Sequence, residues 1–378
     1  MKTGIATVPL DYGRCPKWLF ERMKRLSRGI SLAVVEEFGQ EELLKRLSDP
    51  VWFQSLGCII GFDWNSSGLT TTTLGALKEG IRGIENELGV FICGGKGKTS
   101  RKTPQQIQNW GEFLGLSMRE IDKLIYASKI AAKVDTSLIQ DGFQIYHHNL
   151  IFSKSGDWTV VQQGMNTDFQ KARRYHWSSS KVKDFIEEPH SGIASQSRVE
   201  PLNLTAKESD QNRKISAGLV IEEPKQFLRD FRIISSKDER GLAKKQRGSF
   251  TEINLRNIEF KWHPVANERF NLKHLQKTIV SAHAQQPKNF EELLYLKGVG
   301  PRTIRALSLV SELIYGAEPS YEDPARYSFA VGGKDGTPFP VDRAIYDKIL
   351  KILEKGIQKS KISNREKVEA KKRLIKTF

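Results

Sequence analysis

Apolar side chains recur at three- and four-residue spacing over residues 18–26 and 36–47, a pattern that predicts amphipathic helices near the start of the chain. The unbroken apolar run 56–62 reads as a buried strand, and Asp63-Trp64-Asn65-Ser66-Ser67-Gly68 follows it as a turn cluster. Helical spacing resumes over 74–88, so those polar residues sit where a strand hands over to a helix. Thr103-Pro104 puts proline in the first turn of a helix, and Ser117 with Glu120 forms a capping box that opens another through residue 132. Runs at 146–152 and 158–163 flank Lys154-Ser155-Gly156-Asp157 and predict a β-hairpin. From 191 to 256 the chain is rich in Ser, Gln, Lys and Glu and reads as a connector with one helical segment at 224–232.

These elements predict an α+β protein. A mixed domain over 1–190, holding a β-hairpin or small sheet, leads through the connector 191–256 to an all-helical domain over 257–378. With 378 residues, 38% hydrophobic and 28% charged, the chain is long enough for such cores. Its apolar runs fall far short of the roughly 20 residues of a membrane helix, and the start lacks the apolar stretch of a secretory signal, so a cytoplasmic protein is expected. Cys15, Cys58 and Cys93 are odd in number and far apart, which favours reduced, mostly buried thiols.

Charge narrows the partners. A net charge of +16 draws polyanions, and nucleic acid is the first to consider. Gly94-Gly95-Lys96-Gly97-Lys98-Thr99 lacks the spacing of a phosphate loop, since Ile92 stands where that motif needs glycine. Lys96 and Lys98 remain candidates for contacting a nucleic-acid backbone, with a plain solvated turn as the alternative. The run Ala172-Arg173-Arg174-Tyr175-His176-Trp177 interleaves guanidinium and aromatic groups, as surfaces do that touch phosphates and stack on bases. The alternative puts Tyr175 and Trp177 in the core and leaves Arg173 and Arg174 solvated. His147 and His148 point to opposite faces of one strand, so a single metal ion can hardly use both, and no metal site is assigned.

The most specific signal runs from Asn289 to Leu307. Asn289 and Glu292 cap a helix, Leu293 and Leu296 form its inner face, and Gly298-Val299-Gly300 turns the chain tightly before Pro301 opens a second helix that can stop at Gly316. The turn places backbone amides and a helix N-terminus beside Lys297, Arg302, Thr303 and Arg305, a corner that binds phosphate without reading sequence. This stretch resembles the helix-hairpin-helix motif of DNA repair and recombination proteins. Phe339-Pro340-Val341-Asp342-Arg343 resembles the segment of the helix-hairpin-helix DNA glycosylase superfamily whose aspartate follows the hairpin.

That resemblance implies a duplex DNA partner held by its backbone, no required cofactor, and compatibility with a monovalent cation at the hairpin. It makes Asp342 the candidate catalytic carboxylate, opposite the oxocarbenium-like sugar formed as a flipped base leaves. Arg302 stands where the strand-cleaving members carry a lysine, and arginine cannot act as that nucleophile at neutral pH, which implies a monofunctional enzyme. Asp342 can equally cap the helix that follows, and Lys334 on its glycine loop is a further phosphate candidate. Two other readings stay open: a nuclease using a divalent metal and residues such as Asp63, His147, Asp157 or His176, and a non-enzymatic DNA-binding scaffold. Over its whole length, notably in Gly4-Ile5-Ala6-Thr7-Val8-Pro9-Leu10, Val160-Val161-Gln162-Gln163-Gly164-Met165-Asn166 and Gly332-Gly333-Lys334-Asp335-Gly336, the chain resembles a prokaryotic family catalogued only as a domain of unknown function. That resemblance implies that the two halves belong together, and it supplies no activity. Residues 343–378 carry 12 Lys and Arg against four Asp and Glu, a surplus expected to add phosphate contacts near the hairpin.

Overall fold

The computed structural model describes residues 15–61, 68–168, 170–236, 250–254, 267–328, 343–360 and 362–377. Helices α1 (Lys17–Phe38), α2 (Gln40–Leu47), α3 (Pro50–Ile59), α4 (Gly68–Gly80) and α5 (Glu85–Leu88) precede strand β1 (Val90–Lys96). A 3₁₀ turn leads to α6 (Thr103–Phe113) and α7 (Met118–Ser137). Strands β2 (Ile139–Gln140), β3 (Gln144–Ser153), β4 (Trp158–Asn166), β5 (Lys171–Ser178), β6 (His190–Ser195) and β7 (Leu202–Asn203) follow. Next come α8 (Asp210–Ile221), α9 (Pro224–Ser236), β8 (Phe250–Asn254), β9 (Asn267–Asn271), α10 (Leu272–Ala284), α11 (Phe290–Tyr295) and α12 (Pro301–Leu313). β10 (Tyr327–Ser328), α13 (Arg343–Lys359) and α14 (Asn364–Thr377) complete the order.

Six strands form the central sheet in the order β1-β3-β4-β5-β6-β10, antiparallel except where β10 joins β6 in parallel. Alternation along each strand feeds two cores. Phe91, Leu150, Phe152, Val160 and Trp177 face one that includes α7, α8 and α12. Val90, Ile92, Ile151 and Val161 face the other, built from α1 to α4. The protein is α+β, and the 154–157 turn joins β3 to β4 as its hairpin pattern predicts.

Three expectations need correction. The run 56–62 is no strand, because most of it lies in α3, where Pro50 takes the first position and Asp49 accepts the amides of Val51 and Trp52 at 2.8 and 3.1 Å. A helix buried on every side loses its periodicity and reads like a buried strand. The stretch 191–256 is more than a connector over its described residues: β6 pairs with β5, and Leu219, Val220, Phe227 and Phe231 of α8 and α9 enter the sheet core. Its polar residues are fasteners, for Asn212 donates to the carbonyls of Ser308 and Ala317, and Arg213 to those of Leu204 and Ala206.

Nor do the described residues of 257–378 make an all-helical domain of their own: β9 and β10 lie among them. The hairpin helices α11 and α12 pack into the core on one side of the sheet, whereas Ile352, Leu353, Ile357, Ala370 and Leu374 of the tail join the helical core on the other. Part of the tail's charge is paired there, with Lys355 on Glu37, Lys359 on Glu36 and Glu366 on Arg22. The tail is a brace for α1 and α3 and does not accompany the hairpin.

Three histidines are buried in this framework. Burial pushes His147 down to about 3 and lowers His148, and burial together with Arg174 holds His176 well below the ordinary 6.5. Folded, His147 and His176 stay neutral while the unfolded chain takes up protons at them below about 6.5, so each removes up to about 1.4 kcal/mol of stability per pH unit well below that value, and the lowered His148 acts in the same sense. Asp141, raised by burial from 3.8 to about 6, works in the opposite sense between those values. We expect the melting temperature to fall from pH 7 to 5, with a net uptake of protons on unfolding near pH 5, measurable by calorimetry in buffers of different ionisation enthalpy.

Candidate nucleic-acid interface

α11 begins at Asn289, whose side chain accepts the Glu292 amide at 2.9 Å, and Leu296 leaves helical geometry to start the turn. Gly298 has φ +94°, which favours glycine, and a Cβ there would meet open space. Gly300 is different. Its backbone is extended, at φ −143° and ψ −172°, and no atom lies within 4 Å of where a Cβ would stand, so the fold itself does not require glycine there. Gly300 is the N-cap of α12, no side chain caps that end, and Pro301 takes the first position. Leu293, Val299, Ile304 and Leu307 bury the inner side of the hairpin, while Lys297 and Arg302 are exposed beside the uncapped amides.

The hairpin is fastened from α7. Lys133 Nζ donates to the carbonyls of Leu294 and Leu296 at 2.6 Å and of Val299 at 2.9 Å, using all three of its hydrogens. Burial pushes Lys133 down to about 8, which leaves it mostly charged at neutral pH. Gln140 adds a donor to the Pro301 carbonyl at 2.8 Å. Nothing in the pattern around Lys133 marks it out from any other helix-surface lysine, so its role escapes a reading of the chain.

Beside the hairpin lies a groove of about 870 Å³. Trp158 and Phe185 stack with ring centroids 6.1 Å apart and planes 8° from parallel, and Tyr126 meets Tyr295 at 4.7 Å and the edge of Phe185 at 5.6 Å. All four rings are partly exposed. Arg119, Lys123 and Lys129 line the same groove, with Asp122 as the opposing charge. Together with Tyr126 and Lys133 they follow one face of α7, since positions three, four and seven apart share a stripe. Tyr295 ends α11, so the groove opens directly onto the turn. The Tyr126 hydroxyl donates to Glu291, and burial with that carboxylate raises its pKa, keeping it a neutral donor.

Other candidates are placed differently. Arg173 and Arg174 are fully buried: Arg173 donates to Asp141 at 3.0 Å and Asp323 at 2.7 Å, and Arg174 to Gln54 at 3.1 Å and His176 at 2.7 Å. Neither faces a phosphate backbone; Tyr175 and Trp177 are core residues, as their alternative reading has it, but the arginines share the core with them. Thr303 and Arg305 are buried, because α12 is enclosed all round over the stretch 303–311 and only its first residues reach the surface. Lys96 and Lys98 are exposed, but β1 carries Lys96 to the helical side of the sheet, away from the hairpin core. His147, His176 and Asp157 share no site: His147 lines a cavity, His176 is held between Arg174 and the Leu47 carbonyl, and Asp157 accepts from Ser179 in a turn. Asp63, Lys334 and Asp342 lie outside the described residues.

A family model described as "Protein of unknown function (DUF763)" matches residues 4–341. The chain belongs to that family. No curated protein and no solved structure matches it. The DUF763 match takes in the hairpin, the groove and α1 to α4, while α13 and α14 lie beyond it.

If Lys133 is what holds the turn, Lys133→Met should leave three carbonyls short of a donor and destabilise the protein by about 1–2 kcal/mol. Amide exchange should accelerate at residues 296–300 more than elsewhere; unchanged protection there would remove Lys133 from this role.

Proposed function

We propose that this DUF763 protein binds DNA, gripping the phosphate backbone with the 296–302 turn and stacking an unpaired base in the neighbouring aromatic groove. The observation that carries this reading is the juxtaposition of an uncapped helix end flanked by Lys297 and Arg302 with a basic groove of four partly exposed rings, both built on α7 and α11. Phosphate contacts supply affinity without sequence, and aromatic rings accept any base. The empty space at Gly300 fits the same reading, since a bare backbone lets a phosphate approach the amides that follow.

A finer reading is a monofunctional glycosylase. What supports it is a groove able to hold an extruded base beside a backbone-gripping turn, together with Arg302 where an amine nucleophile would stand. Its carboxylate would be Asp342. Single-turnover incubation with duplexes carrying damaged or mispaired bases should then give breaks only after hot alkali, and Asp342→Asn should abolish them; breaks that persist in that variant would end this assignment.

For the binding itself, Lys297→Ala with Arg302→Ala should weaken duplex affinity about tenfold and reduce the slope of log affinity against log salt by about two, read by fluorescence anisotropy. Gly300→Ala should lower affinity with a stability loss of about 1 kcal/mol or less, because only the N-cap preference is affected. Trp158→Leu should weaken single strands and duplexes with an unpaired base more than perfect duplex. Undiminished binding by the double variant would refute the hairpin reading.

A further inference from the structure

On the opposite side of the sheet, α1, α4, β1 and β3 enclose a second cavity of about 700 Å³. Its floor is strand backbone at Gly94 and Gly95, and Phe20 supplies an apolar wall. His147 and Asn149, two residues apart on β3, line it together; they are 2% and 1% exposed. Asn149 Nδ2 donates to the Cys93 carbonyl at 3.1 Å, and its amide oxygen faces the His147 ring and favours a proton there, but no hydrogen bond of ordinary geometry to a described residue reaches either ring nitrogen of His147. Polar groups buried this deeply are nearly always satisfied, so the His147 nitrogen turned away from Asn149 is open to a partner from the cavity.

The charges around them indicate what. Lys78 donates to the Gly94 carbonyl at 2.9 Å and to Gln106 Oε1 at 3.0 Å, which leaves one hydrogen unassigned, and among the described residues no carboxylate pairs with it. Gln106 also accepts the Gly94 amide at 2.8 Å, so the lysine is held in place. Lys96 is directly across the strand pair from His147, exposed, with its ammonium 5.8 Å from the Tyr146 ring. Lys17 adds a third cation, and the acidic residue of the lining, Glu21, is paired to Lys24 at 3.0 Å. His147 is neutral, held down to about 3 by burial and by the neighbouring His148, Lys96 and Lys78, against which the Asn149 side chain acts as a hydrogen-bond partner. It therefore offers one donor and one acceptor.

We propose that this cavity binds a small phosphorylated molecule of mononucleotide size, with the phosphate at Lys78 and Lys96 and a hydroxyl or base edge at His147 and Asn149. The volume lies within the range of small-molecule sites, and the pattern of few polar groups in a partly apolar pocket is theirs too. The site is separate from the nucleic-acid reading above and does not depend on it. A base-bearing ligand and a sugar phosphate share this chemistry and differ at the His147 end.

Calorimetric titration of the full chain with adenosine 5′-monophosphate, cytidine 5′-monophosphate, ribose 5-phosphate, inorganic phosphate and adenosine tests it. We expect at least one organic phosphate to saturate with Kd below about 1 mM and at least tenfold tighter than adenosine. Lys96→Ala, an exposed change that should not alter melting, and His147→Gln should each weaken it tenfold or more. Excess duplex DNA should leave the titration unchanged. A cavity filled by water alone would show no saturable binding of any probe, and that result overturns the proposal. So would affinity unaffected by Lys96→Ala, inorganic phosphate binding as tightly as every organic one, or displacement by duplex.

Discussion

A sheet buried on both faces allows its polar strand residues no water, so every one must be met by a group from the layers around it. Asp135 of α7 shows how far this reaches: it accepts from Trp177 at 3.0 Å, lies 2.5 Å from His190 Nε2, and takes the Gln162 amide. Because Gln162 turns its oxygen to His148 Nδ1 at 2.7 Å, the other ring nitrogen is left to accept the Ser128 hydroxyl at 2.8 Å. One carboxylate thus orders residues from β3, β4, β5, β6 and α7. On the next strand pair Arg173 ties Asp141 to Asp323, binding the segment that leads to β10 into the sheet. Breaking such a pair from one side leaves a buried charge alone, so these contacts specify the strand order more than they add net stability.

α7 is therefore a rigid element with two different sides. Its inner side carries Asp135 and the apolar residues that meet the sheet, and its outer side carries Lys133, Tyr126 and the basic stripe. A turn pinned by an ammonium on such a helix needs no loop entropy to be lost when a ligand arrives. The groove gains likewise, because Trp158 comes from β4 and Tyr295 from α11, elements held by the same helix.

Local signals were legible wherever a short stretch decides its own conformation. The capping box at Ser117 and Glu120, the β3–β4 turn, the glycine turn at 298 and Pro301 at a helix start all lie where their residues predict. What could not be read was anything settled by a distant partner. Arg173 and Arg174 look like surface groups until Asp141, Asp323 and Gln54 are brought to them by the fold. The tail's cations suggest a polyanion until α1 offers Glu36 and Glu37. Lys133 has no local signature, and the groove draws on four elements or loops separated by up to about 170 positions, so no motif could contain it.

Net charge alone is accordingly a weak guide to which face meets a polyanion. Of the excess of +16, Arg46, Arg173, Arg174 and Arg213 are buried and answered by protein groups, and Lys133 is committed to three carbonyls. These cations shape the interior and add only a screened background to the field outside. In the readings proposed here, the cations that discriminate a ligand are those held beside incompletely covered groups: Lys297 and Arg302 at uncapped amides, Lys123 and Lys129 at partly exposed rings, and Lys78 and Lys96 at a buried histidine lining a cavity. Position next to an incomplete group, rather than number, is what turns a positive charge into recognition.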